Sequence, residues 1–129
     1  MNEFVNPKKS HNPVGAYSHS VRIPRDSDIQ VIAGQVGVDA KGKLQDGIRR
    51  QSEQAFRNVI AALRANKMAK GDLVKLTIFL TDPRHIDAYR TARKKVSGDD
   101  TLPASTLVIV DGLASPDMLI EVEGMAAKS

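Results

Sequence analysis

The sequence predicts an α+β fold in which a mixed β-sheet carries two helices on one face. Two observations lead to this prediction. Two segments have apolar residues at helical spacing, and segments that favour strands precede, separate and follow them. The order of elements is therefore β-β, helix, β, helix, β-β. A chain of 129 residues has the size of one domain, so we expect a single domain over residues 1–129, with residues 1–11 as an irregular arm.

The first half of the chain contains two strand segments and one helix. Residues 16–23 and 28–33 are separated by a turn at Pro24, and two neighbouring strands joined by this turn are the simplest interpretation. From about Ile48 the apolar residues follow helical spacing. They form one broad stripe that we expect to pack on the sheet, made of Ala55, Phe56, Val59, Ile60 and Leu63.

The second helix follows a strand of clear alternation. Every second residue from Val74 to Leu80 is aliphatic, and the residues between them are polar except Phe79, which is strand periodicity. Asp82 and Pro83 suit the start of a helix, because proline lacks only a donor that is unpaired in the first turn. Residues 97–100 would end this helix. Its inner face would carry Ile86, Tyr89, Arg93 and Val96.

Two last strands are predicted at residues 104–110 and 118–126. In the final strand Glu121 and Glu123 point to one face, and the apolar residues beside them point to the other. No helix is left to cover the face with the carboxylates. We therefore expect this face to contact other copies of the chain and to retain a polar pocket.

Composition argues against several classes of protein. The chain has no cysteine, hence no disulfide and no thiol nucleophile, which fits a cytoplasmic protein. No stretch reaches the roughly 18 to 20 apolar residues of a membrane span, and the N-terminus lacks the pattern of a secretory signal. The net charge of +4 is spread over short clusters, and two Tyr, three Phe and no Trp offer little for base stacking. Neither a membrane nor a nucleic acid is an expected partner.

Motifs of the common catalytic chemistries are missing. Gly34 and Gly37 follow a strand without the spacing of a nucleotide-binding loop. The histidines are dispersed and form no zinc-binding pair, and no serine lies in a Gly-x-Ser-x-Gly elbow. Glu121 and Glu123 are neighbours on one strand and cannot flank a sugar as acid and base. These patterns give no local signal for a zinc site or for dinucleotide binding.

Six short motifs occur in order between residues 12 and 127. They are GAYSH at 15–19, AGQ at 33–35, the helical positions 51–63, DLVKLT at 72–77, PA at 103–104 and IEVEGMA at 120–126. Together they resemble the YjgF/RidA family, the reactive intermediate deaminases once called L-PSP endoribonucleases. The resemblance implies a chorismate-mutase-like fold, a homotrimer with a central barrel, and a cleft for a small metabolite at each subunit interface. It also implies hydrolysis of 2-imino or 2-enamino acids to 2-keto acids and ammonia, without a cofactor.

The same resemblance implies roles for three residues. Glu121 would orient a water and take part in proton transfer. Tyr17 would pack its ring on the ligand and offer its hydroxyl, and Gly34 would let the backbone approach the ligand closely. Each has a structural alternative: a solvated strand carboxylate, a half-buried tyrosine and an ordinary turn glycine.

One position departs from the deaminating members of the family. They carry an arginine after Pro-Ala that binds the substrate carboxylate, and this chain has Ser105, followed by Thr106. We expect these two hydroxyls to form the floor of the cleft, in a divergent subgroup without the clamp arginine. Arg90 or Arg93 of the second helix could bind an anion instead; the alternative is that both are exposed helical arginines.

The sequence therefore supports three hypotheses. The first is a deaminase, and thus a hydrolase, of a reactive imine or enamine whose substrate differs from 2-aminoacrylate because Ser105 replaces the arginine. The second is a non-enzymatic module that binds a small ligand or regulates a partner. The third, an endoribonuclease or translation inhibitor, ranks last because the chain has no recognisable nuclease constellation.

Overall fold

The structure is a computed structural model that describes residues 1–98 and 102–129. Its strands and helices follow in the order β1 (Glu3–Val5), β2 (Ser20–Arg22), β3 (Asp28–Val36), α1 (Gly47–Ala65), β4 (Leu73–Leu80), α2 (Ile86–Ser97), β5 (Ala104–Ile109) and β6 (Ile120–Lys128). Neither helix in these two ranges is long and apolar enough to cross a membrane.

The main sheet has four strands in the order β3-β6-β4-β5. β6 runs antiparallel to both β3 and β4, whereas β4 and β5 are parallel and are joined through α2. Such a parallel pair requires a crossover connection, which the helix supplies. The predicted fold class, a mixed sheet with two helices on one face, is confirmed.

One core lies between the helices and the sheet. Strand positions of the same face, such as Leu76, Ile78 and Val122, are buried together with the predicted apolar stripe of α1. Tyr89 joins this core from α2. Alternate strand residues point to opposite faces, so the helices cover one face of the sheet.

The pairing of the first strands differs from the prediction. β2 pairs with β1 rather than with β3, and Phe4 lies opposite Val21. The prediction was wrong because it treated residues 1–11 as irregular, although they contain β1, the partner of β2. The partner of β3 is β6, at the other end of the chain.

The second helix begins and ends at the predicted signals. Pro83–His85 forms one 3₁₀ turn before α2, and the Asp82 carboxylate accepts a hydrogen bond of 2.8 Å from the Arg84 N–H. At the other end Gly98 has a φ of 72°, a left-handed conformation that favours glycine. The remainder of the predicted stop, residues 99 and 100, lies outside the described residues.

The face of the sheet opposite the helices is bare in the single chain and partly apolar. Val31, on this face of β3, is 75% exposed, and Ile29 and Val108 are also exposed. We refer to these three residues as the open-face patch. Glu121 and Glu123 lie on the same face, as the alternation along β6 predicts.

Candidate active site

A cavity of about 250 Å³ lies between α2, β5 and the loop before β2. Tyr17, Arg90 and Ser105, three of the predicted site residues, line it together with Tyr89 and Arg93. The structure thus brings together residues that are up to 88 positions apart in sequence, as Tyr17 and Ser105 are.

Backbone contacts explain why the loop before β2 reaches β5. The Ser18 N–H donates a hydrogen bond of 3.2 Å to the Pro103 carbonyl, and Ser18 pairs with Ala104 in an isolated parallel bridge. This contact positions Tyr17 beside Ser105. The Tyr17 hydroxyl accepts a hydrogen bond of 3.3 Å from the Val14 N–H, which closes the loop over the cavity.

Two arginines of α2 reach the cavity in different environments. Arg93 lies one turn after Tyr89, so both side chains share the inner face of the helix. The Arg93 side chain is buried, and its Nη1 donates a hydrogen bond of 3.2 Å to the Tyr89 hydroxyl. Arg90 is exposed, and its Nη2 would lie 3.6 Å from a Cβ added to Gly15. Of the two arginines that the sequence left open, Arg93 is therefore the desolvated one.

Tyr89 is a neutral phenol in this setting. Burial raises the pKa of its hydroxyl, and the nearby guanidiniums of Arg93 and Arg90 oppose this effect without overcoming it. The hydroxyl can accept the hydrogen bond from Arg93, but it cannot neutralise the charge. The cavity is consequently lined by hydroxyls and positive charge.

Glu121 and Gly34 form a second group, away from this cavity. A Cβ added to Gly34 would lie 2.7 Å from the Glu121 Cδ, so the missing side chain of Gly34 makes room for the carboxylate. Glu121 is half-buried. Within residues 1–98 and 102–129 its carboxylate has no hydrogen-bond or ion-pair partner, which leaves its oxygens available to a ligand or a water.

The two groups lie on opposite faces of the sheet. Ser105 pairs with Leu76 of the buried face, whereas Glu121 pairs with Phe79 of the open face. β4 separates their strands, a distance of about 10 Å between strand axes. One chain therefore does not bring Glu121 and Ser105 into a common cavity.

Thr106 is in a third position. It follows Ser105 and so points to the open face, where its Oγ1 accepts a hydrogen bond of 2.7 Å from Lys75 Nζ. It does not line the cavity with Ser105. The alternation of strand residues was the signal that separates the two hydroxyls.

Sequence reasoning did not assign Tyr89 to the site and left Arg93 as one of two alternatives. The sequence signal for both residues was their position on the inner, largely apolar stripe of α2. A charged residue at such a position is expected to be buried, and its burial needs an explanation. No cluster of three or more His, Asp or Glu able to hold a metal occurs in the described part of the chain. A larger depression, of about 550 Å³, lies near Lys67 and Lys128 and contains none of the predicted residues.

The fold and these groups define a class: a two-layer α+β protein with a small, positively charged cavity at one sheet edge and a carboxylate on the open face. More specifically, the chain belongs to the family described as Endoribonuclease L-PSP, whose sequence model matches residues 7–128. This confirms the resemblance to the YjgF/RidA family, of which that name is a synonym.

Three relatives illustrate the similarity. A RutC family protein of Pyrococcus horikoshii is 30% identical over 130 residues, covering 99% of each chain. The 2-iminobutanoate/2-iminopropanoate deaminase of Salmonella typhimurium is 26% identical over 131 residues, again covering 99% of both chains. The crystal structure of the Rid family protein YyfB from Yersinia pestis matches with a TM-score of 0.84 and 28% identity, over 98% of each chain.

Proposed function

We propose that this protein is a RidA-like deaminase that hydrolyses a small imine or enamine to a carbonyl compound and ammonia. The observation that carries the proposal is Glu121, a half-buried carboxylate packed against Gly34 with no partner in the described residues. A carboxylate in this environment is suited to hold a water and to accept its proton. The full-length similarity to a Salmonella typhimurium deaminase supports this reaction class.

The proposed chemistry needs little beyond positioning. A protonated imine is electrophilic, and the oxygen of a water held by Glu121 forms a bond to the imine carbon while the carboxylate takes the proton. The carboxyl group of Glu121 then gives its proton to the nitrogen of the carbinolamine, the C–N bond breaks to release ammonia, and the hydroxyl returns a proton to Glu121 as its oxygen becomes the carbonyl of the product. Holding the two reactants together supplies much of the rate, and neutralising nearby charge supplies more.

We further propose that the chain acts as a homotrimer with each cleft shared between two copies. The open-face patch exposes large apolar side chains on both edge strands of the sheet, and exposed apolar surface of this kind is commonly covered at an interface. Glu121 and Ser105 point away from each other in one chain. Assembly would let Glu121 and Gly34 of one copy complete the cavity of its neighbour.

In this arrangement Tyr17, Arg90 and Ser105 would contact the substrate from the cavity side. Thr106 would face the neighbouring copies through the open face. Since a serine hydroxyl cannot reproduce a bidentate guanidinium contact, the substrate would differ from 2-aminoacrylate. The cytoplasmic location stays a prediction, which cell fractionation would test.

The test of the reaction is Glu121→Gln, with Glu123→Gln as its matched control. Glu123 lies on the same strand and the same face, so its replacement removes the same charge at a neighbouring position. Imines generated in situ by an amino-acid oxidase would be followed by the rate of ammonia release. We expect Glu121→Gln to lower the rate by about 10² to 10⁴-fold, the usual contribution of general acid–base catalysis, and Glu123→Gln to retain it. Equal losses in both variants would refute the assignment.

The shared cleft is tested by mixing two inactive variants. Glu121→Gln removes the acid, and Ser105→Phe fills the cavity while leaving the acid intact. After dissociation and reassembly, about a quarter of the clefts in a randomly mixed cyclic trimer would combine one intact side from each variant. Recovery of activity on mixing supports clefts between copies; no recovery from a reassembled mixture contradicts it.

Two alternatives would give different results. A non-enzymatic ligand-binding module would bind small acids but hydrolyse no imine in either the wild type or a Ser105→Arg variant. The family description raises ribonuclease activity, and cleavage of RNA that is lost in Glu121→Gln would favour it. RNA cleavage that persists in Glu121→Gln at the wild-type rate would indicate a contaminating nuclease.

A further inference from the structure

In the described residues Arg93 is a buried cation without an anion. The residue is 9% exposed, and among these residues its one hydrogen bond goes to the neutral hydroxyl of Tyr89. A guanidinium has five N–H donors, and buried charges are normally paired because leaving water is costly. Within the described residues its charge therefore has no counter-charge.

The other buried helical charge in the described residues is surrounded by opposite charge. Glu53 of α1 is also buried, and three cations surround it, with Lys95 Nζ at 3.1 Å and Arg49 and Arg57 within 4 Å of its oxygens. Arg93 has no carboxylate at a comparable distance in residues 1–98 and 102–129. The contrast indicates that no side chain in residues 1–98 and 102–129 supplies its counter-charge, and a bound anion could supply it.

The surroundings of Arg93 fit a small ligand. It lines the cavity of about 250 Å³ described above and also an adjoining cavity of about 180 Å³. The larger one has the volume of roughly eight waters. Arg90 lines both cavities as well, and Tyr17 and Ser105 add hydroxyls to the larger one. Among the described residues, no acidic side chain lines either cavity.

We infer that Arg93 is the anion anchor of this cavity and that its ligand is a small carboxylate. The planar guanidinium matches a carboxylate in geometry and charge, and Ser105 is short enough to leave space beside it. The inference rests on the proposed function only in treating this cavity as the substrate site. With Arg93 as the anchor, the carboxylate of the ligand is recognised by α2.

The test compares binding of 2-oxobutanoate, a small 2-oxo acid, with binding of its neutral amide of equal size. Calorimetry or NMR titration would measure both for the wild type, Arg93→Met and Arg93→Lys, with Arg64→Met as the control for loss of one positive charge at an exposed helical site. We expect the wild type to prefer the acid by about ten- to a hundredfold, the ratio given by charge-assisted hydrogen bonds. Arg93→Met would abolish this preference, Arg93→Lys would retain part of it, and Arg64→Met would retain all of it.

Thermal unfolding separates a ligand anchor from a structural arginine. Burying an unpaired charge is costly in the folded state, and an apolar side chain of similar volume avoids this cost, so Arg93→Met should unfold at the wild-type temperature or above. An unchanged acid preference in Arg93→Met overturns the inference, and so does an equal loss in Arg90→Met, which would move the anchor to the exposed arginine. A folded Arg93→Lys variant keeps the test decisive even if Arg93→Met fails to fold.

The outcomes also separate this inference from the proposed deaminase. If the acid preference depends on Arg93 while no imine is hydrolysed, the anchor stands and the deaminase fails. If hydrolysis depends on Glu121 while Arg93→Met keeps the acid preference, the deaminase stands and the anchor fails.

Discussion

The substitution Gly34→Ala separates the proposed chemistry from the stability of the fold. The added Cβ would clash with Glu121 Oε2 and would lie 2.7 Å from the Glu121 Cδ, against an ordinary carbon–carbon contact of about 3.5 to 4.0 Å. The carboxyl group must therefore move by at least about 1 Å, and a misplacement of about 1 Å in an active site costs about 10²-fold in rate. We expect the hydrolysis rate to fall by this factor.

The fold should tolerate the same change. The group that must move is the end of a flexible side chain, and an off-rotamer torsion costs about 0.5 to 1.5 kcal/mol. Replacing glycine by alanine recovers about 0.4 to 1 kcal/mol through the unfolded chain. The melting temperature should therefore stay within about 4 °C of the wild type.

Gly37→Ala is the matched control. Its Cβ would lie 2.5 Å from the Cα of Gln51, which is helix backbone and cannot move aside. Such overpacking costs about 1 to 3 kcal/mol or more. Ammonia release and thermal unfolding, measured on both variants, give the comparison. Full activity in Gly34→Ala, or a loss of stability as large as that of Gly37→Ala, would refute the reasoning.

Two further predictions concern stability. Gln51 accepts a hydrogen bond of 2.8 Å from the Leu119 N–H and donates one of 3.0 Å to the Asp117 carbonyl, so Gln51→Leu should lower the free energy of unfolding in urea by about 1 to 3 kcal/mol; an unchanged urea midpoint would contradict this. Burial raises the pKa of Glu53, but the ion pair with Lys95 and the other nearby cations outweigh it, and the folded pKa is lowered. Its stabilising contribution is thus present above the unfolded pKa of about 4.3 and is lost as pH falls through the folded value. The difference in melting temperature between wild type and Glu53→Gln should shrink under acid conditions, and a difference that is constant from neutral to acid pH would be evidence against it.

Local patterns predicted the elements, and long-range contacts decided what the patterns could not. The stripe of α1 and the alternation of β4 report which face of each element is buried, and both agree with the structure. The pairing of β2 with β1 was missed because a three-residue strand carries almost no periodic signal. The choice of β6 as the partner of β3 depends on the whole sheet rather than on neighbouring residues.

In the site, too, local patterns predicted some features and long-range contacts decided the others. The alternation of a strand predicts that Ser105 and Thr106 point to opposite faces, although motif position alone grouped them. The position of Arg93 on the inner face of α2 was visible in the sequence, but its lack of a counter-charge depends on every element packed around it. The helical pattern already separates it from the exposed Arg90, but only the three-dimensional arrangement shows that no carboxylate of the described residues approaches it.

The placement of Glu121 and Ser105 on opposite faces has a consequence for the amount of protein required. Under the proposed assembly a lone chain holds two half-sites and no complete one. Turnover per chain would then follow the fraction of assembled protein, by mass action, and would fall on dilution. The cellular concentration of the chain, relative to its self-association constant, would set how much reactive imine a cell can remove.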